Sequence, residues 1–411
     1  GSYPACYATG WNVSGDGDND DTWLDPNGHG THVLGIIMSR WVNHTPDLDG
    51  VNPWLAGDTS HRFRAVRCGK DDGSRSLYNI DDAIDHIVTD GESLVVNNSW
   101  GDSSDNTGNN ANSRLVDNAV WNESQLWVFA AGNDGTASGS IDSPGAAKNV
   151  LAVGNLRNLT SLAVASDSSM GPTSDGRFKP EIYAPGASVE SADASDLSGS
   201  VSLWGTSMAT PHIVGVAASL LDHFPDFVRR PAALKAYMIA SAKRISSVSD
   251  TRAGIVDSYR AHWATSDSVG HWGWSDSSLS QGAETSWDIT VPSGYSKMYV
   301  ALTWTEPAPS AGASYTVLND IDLRVDYAAD GTTDWSSSDS HDNLEFVEIN
   351  TPAAGTYRIK AYGYAISGDN RLGLGVSLRK SDSPILEYYS HRIDDDMTTS
   401  NGNDDGIVNP G

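Results

Sequence analysis

Cysteine is scarce. The 411-residue chain has two, Cys6 and Cys68. Two thiols in so long a chain do not build a disulfide scaffold; they either pair with each other or stay as buried thiols. No apolar run reaches the roughly 18 residues of a spanning helix, so no membrane span is indicated. Positive charge is short as well: 26 Lys and Arg stand against 53 Asp and Glu, a net charge of −27. That balance argues against a nucleic-acid partner. Glutamate is rare even among the acids, with 9 Glu against 44 Asp. An Asp-rich, Lys-poor surface suits a salty or calcium-bearing extracellular setting, or plain solubility. No signal peptide opens the chain, so a mature, processed form is expected, and Gly1-Ser2 reads as a tag scar or a natural start.

What is present is length for two domains, and three segments with chemistry in them. Gly205-Thr206-Ser207-Met208-Ala209-Thr210-Pro211-His212 runs from a tight loop into an apolar stretch, Ile213 to Leu221. Its nearly unbroken apolar pattern predicts a buried helix, with Pro211 in the first turn and Ser207 at the N-terminus. There the backbone N–H groups and helix dipole favour negative charge, which suits a nucleophile whose product is an oxyanion. A Ser at that place is otherwise an ordinary N-cap. Asn27-Gly28-His29-Gly30-Thr31-His32-Val33 sets a histidine in a glycine-flanked turn before a predicted helix, Val33 to Val42. Phe129-Ala130-Ala131-Gly132-Asn133-Asp134-Gly135 ends a predicted strand on a carboxamide. Nucleophile, general base and oxyanion donor are the parts that acyl transfer needs.

These segments, in the order His, Asn, Ser, resemble the subtilases, the subtilisin-like serine peptidases, over about Pro4 to Ala261. The resemblance implies Ser207 as nucleophile, His29 as base and Asn133 as oxyanion donor, acting on a protein or peptide substrate. It also implies that the strand end Ser99-Trp100-Gly101, with Ala131 and Gly132, borders a bound peptide. Trp100 there leads us to expect acceptance of aromatic or bulky apolar side chains. His32 and His212 belong to the motifs and are expected to be structural.

One departure stands out. The family carries its triad Asp at the end of a buried strand, in Asp-Thr-Gly or Asp-Ser-Gly; here the nearest match is Ala8-Thr9-Gly10. Ala8 is read as the equivalent position, whether changed by engineering, naturally lost, or standing in for an Asp upstream of this chain. Rescue by Asp16 or Asp25 is not expected, because that carboxylate must be buried and aimed at one ring nitrogen. The chain as written is then either a weakened peptidase or a non-catalytic pseudoprotease that binds peptide in an intact cleft.

Strands alternating with helices predict an α/β sandwich with a mainly parallel sheet over residues 1–264, its active groups at strand C-terminal ends. From about Ala264 the helical pattern stops. Alternating segments such as Met298 to Trp304 and Tyr357 to Tyr362 predict an all-β sandwich or jelly roll over 265–380. Leu318-Asn319-Asp320-Ile321-Asp322-Leu323 and Thr351-Pro352-Ala353-Ala354-Gly355-Thr356-Tyr357 resemble the C-terminal β-barrel domain of KP-43-type subtilases. A third reading gives this domain the binding role, toward carbohydrate or a surface. Residues 381–411 read as an acidic polar tail.

Two acidic groups are calcium candidates. Asp16, Asp18 and Asp20 alternate with Gly and Asn in a loop, which is a cation-wrapping pattern or a solvated acidic loop. Asp320 and Asp322 fall on one face of a predicted strand, where unpaired carboxylates repel. A secreted, monomeric, calcium-bearing peptidase is the resulting expectation.

Overall fold

The computed structural model describes residues 8–12, 25, 27–38, 63–68, 77, 79–158, 162–196, 199–245, 248, 250–262 and 268–380. Strands β1 (Ala8–Asn12) and β2 (Phe63–Arg67) form a separate parallel pair. The main sheet contains β3 (Val95–Asn98), β4 (Leu126–Ala130), β5 (Leu151–Asn158), β6 (Ala163–Val164) and β7 (Ile182–Pro185). Strands β8 (Val189–Ala192) and β9 (Ser200–Leu203) make a hairpin outside it, and β10 (Lys243–Arg244) and β11 (Gly254–Ile255) complete one edge. The order is β10-β11-β7-β5-β4-β3, with β6 on β5. β3, β4, β5, β7 and β11 run parallel, while β6 and β10 are antiparallel.

Helices cover both faces. They are α1 (His29–Met38), α2 (Ile80–Asp90), α3 (Ala111–Glu123), α4 (Thr206–His223), α5 (Pro231–Ser241) and α6 (Ser258–His262). Side chains of β4 alternate between the two layers, as a strand's must. Leu126 and Val128 join the core under α4 and α5; Trp127 and Phe129 join the one under α2 and α3. The expected α/β sandwich with a mainly parallel sheet is therefore what forms.

Eight strands follow: β12 (Ser268–Ser275), β13 (Glu284–Val291), β14 (Lys297–Thr305), β15 (Asn319–Tyr327), β16 (Trp335–Ser337), β17 (Leu344–Asn350), β18 (Gly355–Ile366) and β19 (Arg371–Arg379). They make two antiparallel four-stranded sheets, β12-β19-β14-β17 and β13-β18-β15-β16. Between them lies a second core that includes Val300, Leu302, Leu323, Ile359 and Val376.

The first of these sheets is buried on its other face too. In β14, Met298, Val300 and Leu302 point into the second core, whereas Tyr299 and Ala301 belong to the core of the α/β layers. The contact is made on α5. A Cβ on Gly373 would stand 2.1 Å from the backbone carbon of Ala232, and one on Gly375 would stand 2.4 Å from that of Ala236. Only bare backbone lets helix and strand approach this closely. Thr303 donates to the Ala232 carbonyl at 2.8 Å, and Arg379 Nη2 donates to the Ser241 and Ala242 carbonyls at 2.8 and 2.6 Å, closing the C-terminal end of α5. The described residues up to Lys380 pack as one compact unit.

Buried charges tie the layers together. Lys148 and Glu306 pair at 2.8 Å with neither side chain exposed. Glu181 Oε1 takes both Lys179 at 2.8 Å and Lys235 at 2.6 Å, and its Oε2 accepts the Ala152 N–H at 2.9 Å. Burial, only partly offset by Glu181, brings Lys179 down to about 8.

Candidate active site

Helix α1 starts at His29, four residues before the expected start, because Asp25 caps it. Asp25 Oδ1 accepts the Gly28 N–H at 2.9 Å and Oδ2 accepts the Thr31 N–H at 2.6 Å. Capping is thus the role of Asp25. Helix α4 starts at Thr206, so Ser207 lies in its first turn, as expected. Val33 and Ile36 share a buried cluster with Met208, and Ile37 shares one with Ala209 and Ile213. The two helices therefore lie side by side with His29 and Ser207 at the same end.

Pro211 sits deeper than the first turn, contrary to the sequence reading. Its nitrogen has no hydrogen to give the carbonyl four residues back, that of Ser207. Ser99 fills the vacancy: its Oγ donates to the Ser207 carbonyl at 2.8 Å. In return Ser207 Oγ donates to the Ser99 carbonyl at 3.1 Å.

Asn133 is held by the other side of the same turn. Its Oδ1 accepts the Thr206 N–H at 2.9 Å and lies 3.2 Å from Thr206 Oγ1. With the oxygen engaged by Thr206, the amide hydrogens on Nδ2 are what Asn133 has to offer an incoming acceptor. The Ser207 N–H, in the first helical turn, likewise has no helical acceptor. Gly205 makes the approach possible. Its φ is +126°, and a Cβ there would stand 3.1 Å from Asn133 Oδ1.

The accessory histidines are structural. His32 is buried, with Nε2 at 3.0 and 2.9 Å from the Val189 and Val201 carbonyls, so it pins the β8–β9 hairpin to α1. Burial holds its ring below the usual imidazole range. His212 Nδ1 lies 2.8 Å from the Met208 carbonyl of its own helix.

Ala8 is not at the end of its strand. It opens β1, paired with Phe63, and Asn12 closes it, paired with Arg67. The strand end, where the resemblance puts a triad Asp, is Asn12 and the residues after it; 13–24 lie outside the described residues.

The ends of β3 and β4 lie beside Ser207. β3 and β4 run parallel with Asn98 against Phe129, and their chains continue as Ser99-Trp100-Gly101 and Ala131-Gly132-Asn133. Ser99 is clasped to Ser207. Gly132 is bonded to Thr206, its N–H and carbonyl each 3.2 Å from Thr206 Oγ1. Between the two segments stands a carboxylate that sequence reasoning missed. A Cβ on Gly132 would meet Asp142 Cγ at 2.4 Å, and one on Gly101 would meet Asp142 Cβ at 2.8 Å. The Asp142 N–H donates to the Ala131 carbonyl at 2.9 Å, and a backbone bridge between Asp102 and Ser143 closes the end. Asp142 is 8% exposed, and its Oδ1 has no partner. Burial first, then the carboxylate of Asp134, which also hydrogen-bonds to it, and that of Asp102 push its carboxyl up to about 7.

Trp100 lies on the other face. Its ring packs edge-on to Phe129 at 5.3 Å within the α2–α3 core, and its Nε1 donates to Asn98 Oδ1 at 3.2 Å. Of the segment Ser99 to Gly101, the serine binds Ser207, the glycine packs against Asp142 and the tryptophan packs the core.

The calcium candidates fare differently. Asp320 and Asp322 lie on one face of β15 as expected, opposite Ile321 and Leu323 of the second core, and burial followed by the nearby Asp322 carboxylate raises the Asp320 carboxyl. Asp322 pairs with Arg324 at 2.9 Å. Among the described residues no three His, Cys, Asp or Glu side chains gather as a metal site. Asp16, Asp18 and Asp20 lie outside the described residues, as does Cys6, the candidate partner of Cys68. A depression of about 470 Å³ elsewhere, lined by Asp250, Arg252, Ser337 and Asp339 among others, brings no histidine to its serines. No helix among the described residues is long and apolar enough to cross a membrane.

Known proteins resemble this chain in sequence. A family model described as the subtilase family matches residues 7–262. Pyrolysin of Pyrococcus furiosus is 27% identical over 251 residues, which cover 48% of this chain and 18% of pyrolysin. A thermophilic serine proteinase of Bacillus sp. (strain AK1) is 35% identical over 206 residues, covering 49% of this chain and 45% of that protein. The solved protease domain of a PatA mutant is 25% identical with a TM-score of 0.47, covering 62% of this chain and 86% of that one. The chain spans less than half the length of both relatives.

Proposed function

The chain belongs to the subtilase family, and on that premise we propose that it is an exported serine endopeptidase. Ser207 Oγ attacks the carbonyl carbon of a peptide bond while His29 takes the hydroxyl proton. The tetrahedral oxyanion is received by Asn133 Nδ2 and the Ser207 N–H. The C–N bond then breaks, and His29 returns its proton to the departing amine. A water molecule repeats the sequence on the acyl-enzyme and frees the acid product.

The observation that carries this reading is the clamp at Thr206. It engages the oxygen of Asn133 at 2.9 Å and so reserves the amide hydrogens for an incoming oxyanion beside Ser207. The two four-stranded sheets are read as a jelly roll following the peptidase layers, the KP-43-type layout. The strand order β12-β19-β14-β17 facing β13-β18-β15-β16 supports that reading. The Asp-rich composition supports export.

Hydrolysis of unfolded protein by the full chain, compared with Ser207→Ala, is the test. Loss of turnover by a factor of about 10² is expected where Ala8 stands for the triad Asp, since losing that Asp already removes most of the family's roughly 10⁶. Equal rates for the two proteins would overturn the reading. A chain that binds peptides without cleaving them would be the pseudoprotease.

A further inference from the structure

We propose that the gap between β2 and β3 is the berth of a further β-strand: an extended apolar segment from outside residues 1–411, docked parallel to both and joining the β1–β2 pair to the main sheet.

The connection of the chain points there first. β2, α2 and β3 follow one another as strand, helix and strand. Arg64, near the start of β2, pairs with Asp90 and Glu92, just ahead of β3, so the two strands begin at the same end. Parallel strands joined by one crossover helix belong to one sheet. Here they do not pair: among the described residues β2 pairs with β1 alone and β3 with β4 alone. Between them lies a cavity of about 250 Å³, lined by Arg64, Ala65 and Val66 of β2 and by all of β3.

The gap lies in the layer of the sheet. Val33 and Ile37 of α1 wall it on the α4 face, and Ile84 and Ile87 of α2 wall it on the α3 face. A parallel strand with helices on both faces is apolar along its length. The free edge of β3 also presents backbone N–H and C=O groups, and Asn97 Oδ1 in the same wall is buried without a partner. A small apolar molecule would leave these groups unanswered, whereas a strand supplies donors and acceptors at their own spacing. The chain's own remaining stretches do not fit: outside the described residues none has more than three consecutive apolar residues. No residue of β1 lines the cavity, whereas Gly30 does. The added strand, and not β1, would therefore be the one that ends at the turn of His29.

The test uses the full chain carrying Ser207→Ala, so that the probe is not cut. The probe is a fluorescent synthetic peptide of alternating Val and Ile, as long as β2, behind a pair of lysines for solubility. It should bind saturably, read by fluorescence anisotropy. The same peptide with Pro at its centre should bind at least about tenfold more weakly, because Pro cannot donate to a neighbouring strand. Bound peptide should also slow alkylation of Cys68, which lines the cavity, by about tenfold or more, followed by mass spectrometry. Failure to bind overturns the proposal, as does equal binding of the Pro control or binding that leaves the Cys68 rate unchanged. Protection of Cys68 by indole but not by the peptide would make the cavity a small-molecule site and overturn it too. None of these readouts depends on hydrolysis, so the peptidase reading stands or falls separately.

Discussion

Asp142 makes stability depend on pH. In the unfolded chain its carboxyl titrates near 3.8, and in the fold near 7. Between those values the folded protein holds a proton that the unfolded chain has lost. The stabilisation is complete below about 3.8 and falls away as pH rises through 7. Asp142→Asn removes this dependence. Relative to wild type, the variant should gain on the order of a few kcal/mol between pH 4.5 and pH 8. Urea unfolding at the two pH values would show it; a constant difference would mean that Asp142 is not held against ionisation. The segments that hold Ser207, His29 and Asn133 were legible as motifs because each carries a distinctive run of small residues. Asp142 was not: it is one Asp among 44, and only the approach of Gly101 and Gly132, distant in sequence, singles it out. The charges of Lys179, Glu181 and Lys235 were illegible for the same reason, since their burial depends on partners that meet only in the fold.

The seam between α5 and β19 is where an element fails or holds. Gly373 touches the backbone of α5, which has no rotamer to yield. Gly373→Ala should therefore destabilise the protein by about 1–3 kcal/mol or more. Gly368→Ala, whose Cβ would find its nearest neighbour at 3.8 Å, should stay within about 0.5 kcal/mol of wild type. Equal denaturation midpoints for the two variants would mean that the seam is looser than its distances imply. The same kind of contact explains a strand that the sequence concealed. β12 carries Gly270 and Gly273, which blur its alternation. They are there because Tyr237 of α5 and Trp287 of β13 press against that backbone, at 2.2 and 2.5 Å from where a Cβ would be. Strands with uninterrupted alternation, such as β14 and β18, were visible from the sequence, as was the buried character of α4. Pro211 misled because its position was judged from the loop before it; the helix begins earlier, at Thr206.

Across the whole molecule the two cores are not separable. The sheet that ends in β19 covers α5, Glu306 neutralises buried Lys148, and Asn343 donates to the Lys148 carbonyl at 2.9 Å. A chain cut after residue 264 should therefore be insoluble or lack cooperative unfolding, whereas one ending at Lys380 should melt as the full chain does. Circular dichroism and solubility of the two truncations decide it. A soluble, cooperatively melting 1–264 fragment would show that the β layers are an accessory.

Arg379, which closes the far end of α5, gives this coupling a direction in time. The helix is synthesised well over a hundred residues before the strand that finishes it. On the ribosome the first layers must wait, with one face of α5 uncovered, until nearly all of the compact unit has emerged. A chain built this way stays unfinished until its last strand docks.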